Sequence, residues 1–452
     1  MADSMVKLTC PLIGVGHPRQ AREFLELTYA SECKSKGASR ESSNSNTLAD
    51  GSAKSTSSSS TSSSRGRSRW TRNRIPYGDH GMQFIDLFLP SPSLHNNINH
   101  DGSTTTNGST NTTTLDDRIP VRGTIFFIHG GAWGSGQPWM YRLVAPTFLK
   151  LNFAVAIVGY RTYPEAQTIE EQCGDVRLAW DKCESVLNRL ITPVVVRNCN
   201  SISSSSINHN NRTSTTNNDE NDQIQNDNGW VGNVVMGHSS GAHVAMLMLV
   251  DMMGECINKE DSSGQDVNAH NNTSNNNNNS RYPWKCDFFV GLSGPYDISY
   301  HFDYEGGRGV EQISPMKPIC GHSRINFDKA SPAIRLMNLL AQQRREEFPS
   351  SSSTTSKYSQ PTTIQHHFPP TLLVHGIEDS TVPFTATSDA GRILRSCGVQ
   401  QCDEIYLEET GHQEVVMHFM LGGPAKDLVM DWLLLNCSRQ RQMVGQLPQS
   451  KL

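Results

Sequence analysis

Short apolar runs alternate with longer stretches of mixed character along this chain, and that rhythm already bounds the fold. Residues 85–89, 124–128, 153–160, 234–236, 288–292, 372–375 and 405–407 are nearly continuous in aliphatic and aromatic side chains. A half-exposed strand would alternate apolar with polar positions, so runs without alternation predict strands covered on both faces. Between them, residues 168–190 carry Val176, Ala179, Trp180 and Val186 on one helical stripe, and a helix is expected there. Strands separated by helices predict an α/β protein: a mostly parallel central sheet with helices on both faces. In an open sheet of this kind, function gathers beyond the C-terminal ends of the strands.

Three of the runs end in residues suited to chemistry. Val234-Val235-Met236 leads into Gly237-His238-Ser239-Ser240-Gly241 and then into a helical run of small and aliphatic residues. That is a G-x-S-x-G nucleophile elbow in the strand–turn–helix setting it needs, with Ser239 as nucleophile. The following helix would aim its first N–H groups at any oxyanion formed there. A serine hydroxyl needs a base and an orienting acid, and in this architecture they follow in the order acid, then histidine. Past the run at 372–375 comes Asp379, in a loop closed by Val382-Pro383; past the run at 405–407 comes His412, after Gly411. Asp379 and His412 are the expected acid and base. Glu378, Asp297, Asp303 and Asp328 are read as turn or capping carboxylates, and His418 as a packed histidine.

The oxyanion donors are expected after residues 124–128, where His129-Gly130-Gly131-Ala132-Trp133 follows. Backbone N–H groups of Gly130 and Gly131, with that of Ser240, would meet the developing negative charge. His129 is read as pinning the loop, and Trp133 and His238 as touching substrate. Phosphate binding is disfavoured, because neither G-x-G-x-x-G nor a Lys-Ser/Thr pair follows.

These motifs together resemble the α/β-hydrolase superfamily, in the esterase/lipase branch related to hormone-sensitive lipase. The resemblance covers about residues 76–435. Residues 237–243 (Gly-His-Ser-Ser-Gly-Ala-His) are similar to the elbow of kynurenine formamidases. Residues 291–297 (Gly-Leu-Ser-Gly-Pro-Tyr-Asp), with His301-Phe302, Arg308-Gly309 and Ser331-Pro332, resemble isoprenylcysteine methylesterases. Ala132 stands where lipases of the His-Gly-Gly-Gly type carry a third glycine, which argues against bulky tertiary-alcohol esters. The resemblance implies a serine hydrolase of a small-molecule carboxylic ester, working through an acyl-enzyme without metal or cofactor. Formamide hydrolysis, methylesterase activity and acyl transfer are the alternatives.

Composition changes the domain picture. The chain has 452 residues and a mean hydropathy of -0.49, but its polarity is concentrated in Ser-, Asn- and Thr-rich tracts. Such tracts cannot bury enough apolar surface to offset the entropy of ordering them. The expected organisation is a disordered N-terminal segment 1–73, a hydrolase domain 74–437 and a tail 438–452. The domain would carry disordered insertions near 91–118, 198–229, 257–281 and 349–366. Residues 296–340 exceed an ordinary connection; they are expected to form a small lid, with Met316, Ile334, Leu336 and Met337 lining a pocket or packing on the core.

Charge is nearly balanced, with 39 basic and 44 acidic residues, giving no reason to expect nucleic acid as partner. The eleven cysteines lack any C-x-x-C pair, which fits a reducing compartment. No signal pattern is evident, and no run reaches the ~18 apolar residues of a membrane span. Ser450-Lys451-Leu452 matches a peroxisomal address, so the import receptor is an expected partner and a peroxisomal location is expected, with the cytoplasm as alternative.

Overall fold

The computed structural model describes residues 70–91, 118–193, 231–263, 285–347 and 368–445. Eight strands form one sheet: β1 (Trp70–Pro76), β2 (Phe84–Pro90), β4 (Gly123–Ile128), β5 (Phe153–Val158), β7 (Gly232–His238), β8 (Phe288–Leu292), β9 (Thr371–Gly376) and β10 (Cys402–Leu407). Their spatial order is β1-β2-β5-β4-β7-β8-β9-β10. Only β2 runs against its neighbours; the other pairings, from β5 to β10, are parallel. Two short strands, β3 (Ile119–Val121) and β6 (Ile191–Pro193), form a separate parallel pair.

The expected double covering is present. In β4, Phe126 and Ile128 face one hydrophobic layer while Ile125 and Phe127 face the other. The first layer holds α2 (Ile169–Leu190), α3 (Ser240–Ser263) and α8 (Thr385–Ser396). The second holds α1 (Ala145–Leu149), α9 (Glu414–Leu421) and α10 (Pro424–Gly445). Small residues on one side of β5, Ala154 and Ala156, let α2 approach; Trp180 of that helix meets Phe126 edge-on at 5.1 Å. Thr168 caps α2, accepting from the Glu171 N–H.

The structure moves several boundaries. β1 opens at Trp70, inside the segment expected to be unstructured, because Trp70 is buried and the strand pairs along all of β2. The elbow helix α3 runs to Ser263, past the expected start of the insertion at 257, and α10 continues to Gly445, past the expected end of the domain at 437. The remainder of the four insertions, the N-terminal tract and Ser450-Lys451-Leu452 lie outside the described residues. Among the described residues, one helical window, Ser240–Ile257, is long and apolar enough to cross a membrane, and 72% of it is buried inside the protein.

Asp86 ties the antiparallel edge down. It is fully buried in β2 and pairs with Arg72 at 3.0 Å, Arg74 at 3.3 Å and Arg142 at 3.3 Å. Arg72 and Arg142 are themselves more than nine-tenths buried, so removing the carboxylate strands two desolvated cations. Asp86→Ala is expected to cost about 3–5 kcal/mol of stability, read by urea unfolding. A loss below about 1 kcal/mol would show that the arginines find water instead.

Residues 296–340 fold into α4 (Ile298–Gly307), α5 (Met316–Ile319), α6 (Arg324–Ala330) and the start of α7 (Pro332–Glu347). Met316 and Leu336 belong to the core rather than a pocket wall, Ile334 is half-buried, and Met337 is exposed. Asp297 caps α4 through the Tyr300 N–H, Asp303 binds Arg324, and Asp328 accepts from Ser299, each a structural carboxylate as read.

Candidate active site

Three loops at the C-terminal ends of β7, β9 and β10 bring the expected residues together. Ser239 sits between β7 and α3 with φ of 57°, a left-handed conformation that costs a serine roughly 1–3 kcal/mol. Its neighbours must be glycine. A Cβ on Gly237 would lie 2.7 Å from the backbone of Ala242, and one on Gly241 only 2.3 Å from the Ile128 carbonyl oxygen. His412 Nε2 stands 2.9 Å from Ser239 Oγ, and His412 Nδ1 stands 2.6 Å from Asp379 Oδ2. Ser239, His412 and Asp379 are 6–7% exposed, so the hydrogen bonds joining them are shielded from bulk water.

The Asp379 carboxylate is held through both oxygens. Asp379 Oδ1 accepts the N–H groups of Thr381 at 2.8 Å and Val382 at 2.9 Å. Oδ2 also lies 3.1 Å from Nε2 of His375, a fully buried residue in β9. Burial works to raise the carboxyl pKa, but hydrogen bonds from His375 and His412 outweigh it and hold the group well below the usual carboxylate range. Sequence reading missed His375, because it lay inside a run read as a plain buried strand.

In the loop after β4, the carbonyls are tied back one after another. Tyr160 Oη donates to the His129 carbonyl at 2.8 Å, His129 Nδ1 to that of Gly130 at 3.0 Å, and Ser135 Oγ to that of Gly131 at 2.7 Å. In a trans peptide the N–H points opposite the C=O. Fixing three carbonyls therefore aims the N–H groups of Gly130, Gly131 and Ala132 the other way. Among the described residues, the N–H groups of Gly131, Ala132 and Ser240 have no acceptor, whereas that of Gly130, expected as a third donor, is turned to the Tyr141 hydroxyl. The loop passes directly against Ser239: a Cβ on Gly130 would lie 2.8 Å from the Ser239 Cβ. Tyr160→Phe keeps the ring stacked on His129 (centroids 4.5 Å apart) and removes the hydroxyl that tethers the carbonyl and faces Ser240. A two- to tenfold lower kcat is expected, about one neutral hydrogen bond, with a lowered melting temperature because the buried His129 carbonyl loses its donor.

Trp133 and His238, expected to touch substrate, are turned inward. Ala132 and Trp133 both have positive φ (50° and 59°), and that turn swings the indole under the loop. Its Nε1–H donates to His243 Nδ1 at 3.1 Å, and His243 Nε2–H donates to the Ala330 carbonyl at 2.8 Å. The pair braces the loop against α3 and α6. His238 is 1% exposed and its Nε2 donates to the His412 carbonyl at 3.0 Å, so it holds the backbone of His412. Above, α4 spans the site: the His301 ring lies 6.1 Å from Trp133, and Tyr304 Oη donates to the Ser380 carbonyl at 3.1 Å. His418 is half-buried at the end of α9, where its Nδ1 faces the Ala425 N–H at 3.4 Å.

Burial pushes the pKa of His129 down to about 4, and those of His238 and His243 to about 3, from an ordinary 6.5. The unfolded chain takes up protons below 6.5 that the folded chain refuses. Stability is therefore full above pH 6.5 and lost as pH falls toward 4, by about 1.4 kcal/mol per pH unit for each such histidine. A melting temperature that is flat between pH 7 and 5 would contradict these buried neutral rings.

Numbered along the large sheet alone, the strands stand in the order 1-2-4-3-5-6-7-8, with strand 2 antiparallel and the elbow after strand 5. The protein has the α/β-hydrolase fold. No family model matches the chain. An isoprenylcysteine alpha-carbonyl methylesterase of Arabidopsis thaliana is 22% identical over 366 residues, covering 80% of this chain; the chain spans 61% of that relative's length. Among solved structures, esterase B from Lactobacillus rhamnosis matches at a TM-score of 0.49 and 13% identity, over 84% of this chain and 89% of its own. Carboxyl esterase 2 of the fungus Tuber melanosporum matches at 0.46 and 15%, over 83% of this chain and 89% of its own.

Proposed function

We propose that this protein is a serine hydrolase that cleaves a carboxylic ester through an acyl-enzyme. The observation that carries the reading is the unbroken line of two short hydrogen bonds, Ser239 to His412 to Asp379, ending at a strained elbow. Neither residue-type pattern nor fold alone would require a hydroxyl, an imidazole and a carboxylate to meet in that order.

In this reading Asp379 keeps His412 in the tautomer with hydrogen on Nδ1, leaving Nε2 free to take the Ser239 proton. The serine oxygen adds to the ester carbonyl. Negative charge then forms on the carbonyl oxygen, where the Ser240 N–H at the head of α3 and the unpaired N–H groups of Gly131 and Ala132 can meet it. His412 returns the proton to the leaving alcohol. Water, deprotonated by the same imidazole, next attacks the acyl-enzyme and frees the acid and the serine. The relative's name adds a finer candidate, a methyl ester of a prenylated cysteine, supported further by the similarity of residues 291–297, 301–302 and 308–309 noted above.

The test is turnover with p-nitrophenyl acetate, a cysteine methyl ester bearing a prenyl thioether, and N-formylkynurenine. The proposal expects a pre-steady-state burst of p-nitrophenol equal to the enzyme concentration and faster turnover of esters than of the formamide. Faster cleavage of the formamide would overturn the ester assignment; release without any acyl-enzyme signal would overturn the covalent route.

A further inference from the structure

Histidine is an unexpected guest at the C-terminal end of an otherwise apolar parallel strand. Val374 and Leu373 beside it are buried and apolar, as the double covering of β9 requires. His375 is fully buried as well, yet both ring nitrogens are engaged. Nε2 lies 3.1 Å from Asp379 Oδ2 and 3.0 Å from the Val382 carbonyl oxygen; Nδ1 lies 2.7 Å from Oγ1 of Thr387, itself fully buried. A carboxylate and a carbonyl have no hydrogen to give, so Nε2 must carry one. In the neutral ring Nδ1 is then an acceptor, and the Thr387 hydroxyl must donate to it. The surroundings leave one tautomer.

We propose that His375 is a positioning residue: a second imidazole that fixes the Asp379 carboxylate and moderates its pull on His412. The proposal rests on the triad reading given above. Asp379 Oδ2 takes the His412 Nδ1–H at 2.6 Å and lies 3.1 Å from His375 Nε2, whose single hydrogen is shared with the Val382 carbonyl at 3.0 Å, while Oδ1 is filled by two backbone N–H groups. Three hydrogen bonds and the shared His375 N–H fix the orientation of the carboxylate. Part of its charge is spent on His375, so His412 feels a weaker base than a bare buried carboxylate would be. Without the Nε2–H of His375, Asp379 would be more basic and would hold the imidazolium proton of His412 more firmly. His412 would then stay protonated to higher pH, unable to accept from Ser239.

The other titratable groups near His412 do not compete for this role. His238 packs on its ring at 5.0 Å between centroids and is kept neutral by burial, and Glu414, at the start of the helix that follows, is exposed to solvent.

The test is the rate of inactivation by a fluorophosphonate as a function of pH, with the modified residue mapped, for wild type, His375→Leu and His375→Gln. Leucine fills the space without donating, whereas the glutamine amide can donate from nearly the same place. The leucine variant is expected to react roughly ten- to a hundredfold more slowly, the worth of a hydrogen bond to a charged group. Its acid limb should move up by about half to one pH unit, and glutamine should restore the limb. A leucine variant with the wild-type rate and acid limb would overturn the role of His375 while leaving the triad standing. Wild type that is not modified at Ser239 would overturn both. Should His375→Leu fail to fold, Thr387→Val removes the donor to Nδ1 and is expected to shift the limb in the same direction; an unmoved limb there would overturn the proposal.

Discussion

Alanine at position 239 is expected to lower kcat for ester hydrolysis by roughly 10⁴- to 10⁶-fold, with KM changed little. The reasoning is that Ser239 supplies the bond-forming atom, so His412 and Asp379 lose their task when it goes. Residual turnover should come only from water acting in a site whose N–H donors remain. The substitution also relieves nothing large in the fold: alanine keeps the strain at φ of 57° and removes one oxygen that is bonded to His412 alone. Stability should therefore change little while activity collapses, a combination that separates a nucleophile from a structural serine. Melting temperature and steady-state kinetics on the same preparation measure it.

Asparagine at 379 should be nearly as damaging, lowering kcat about 10⁴-fold at neutral pH. The Thr381 and Val382 N–H groups claim the oxygen at the Oδ1 position, so the amide NH2 of asparagine must take the place of Oδ2. There it faces two imidazole nitrogens, those of His412 and His375, at 2.6 and 3.1 Å in the native protein. An amide nitrogen donates and cannot accept. His412 would be driven to the tautomer with hydrogen on Nε2, which points its proton at Ser239 instead of taking one. Binding surfaces are untouched, so KM should hold within a few-fold. If Asp379→Asn keeps more than about a tenth of wild-type kcat, Asp379 is not the orienting acid.

Much of this was readable in the amino-acid order, and the reasons differ from one element to another. Gly237, Ser239 and Gly241 are legible because the turn between β7 and α3 admits no Cβ at either glycine, so chemistry and sterics write the same pattern. Strands such as β4 and β5 are legible because a strand covered on both faces is apolar at nearly every position. β1 was hidden for the opposite reason: its sequence, WTRNRIP, carries arginines whose charge is neutralised by Asp86 on the neighbouring strand, a pairing fourteen residues distant for Arg72. The three-residue strands β3 and β6 are too short to imprint any period.

The site was less transparent than the fold. Asp379 and His412 follow their strands as the order of the motifs suggests, but Trp133 and His238 were expected to meet substrate and are instead buried braces. Adjacent positive φ values at Ala132 and Trp133 decide that direction, and nothing in a one-dimensional pattern announces them. His375 was invisible because a polar residue in an apolar run reads as an exception until its partners, Asp379, Val382 and Thr387, are seen around it. Ser135 and Tyr160 likewise acquire meaning only when the carbonyls they tether are known.

Mass mapping of a fluorophosphonate-treated sample, wild type beside Ser239→Ala, reaches the central claim most directly. One phosphonyl adduct per chain, on the peptide containing Ser239 and absent from the alanine variant, is the predicted result. An adduct on another residue, or one that persists after the substitution, would contradict it.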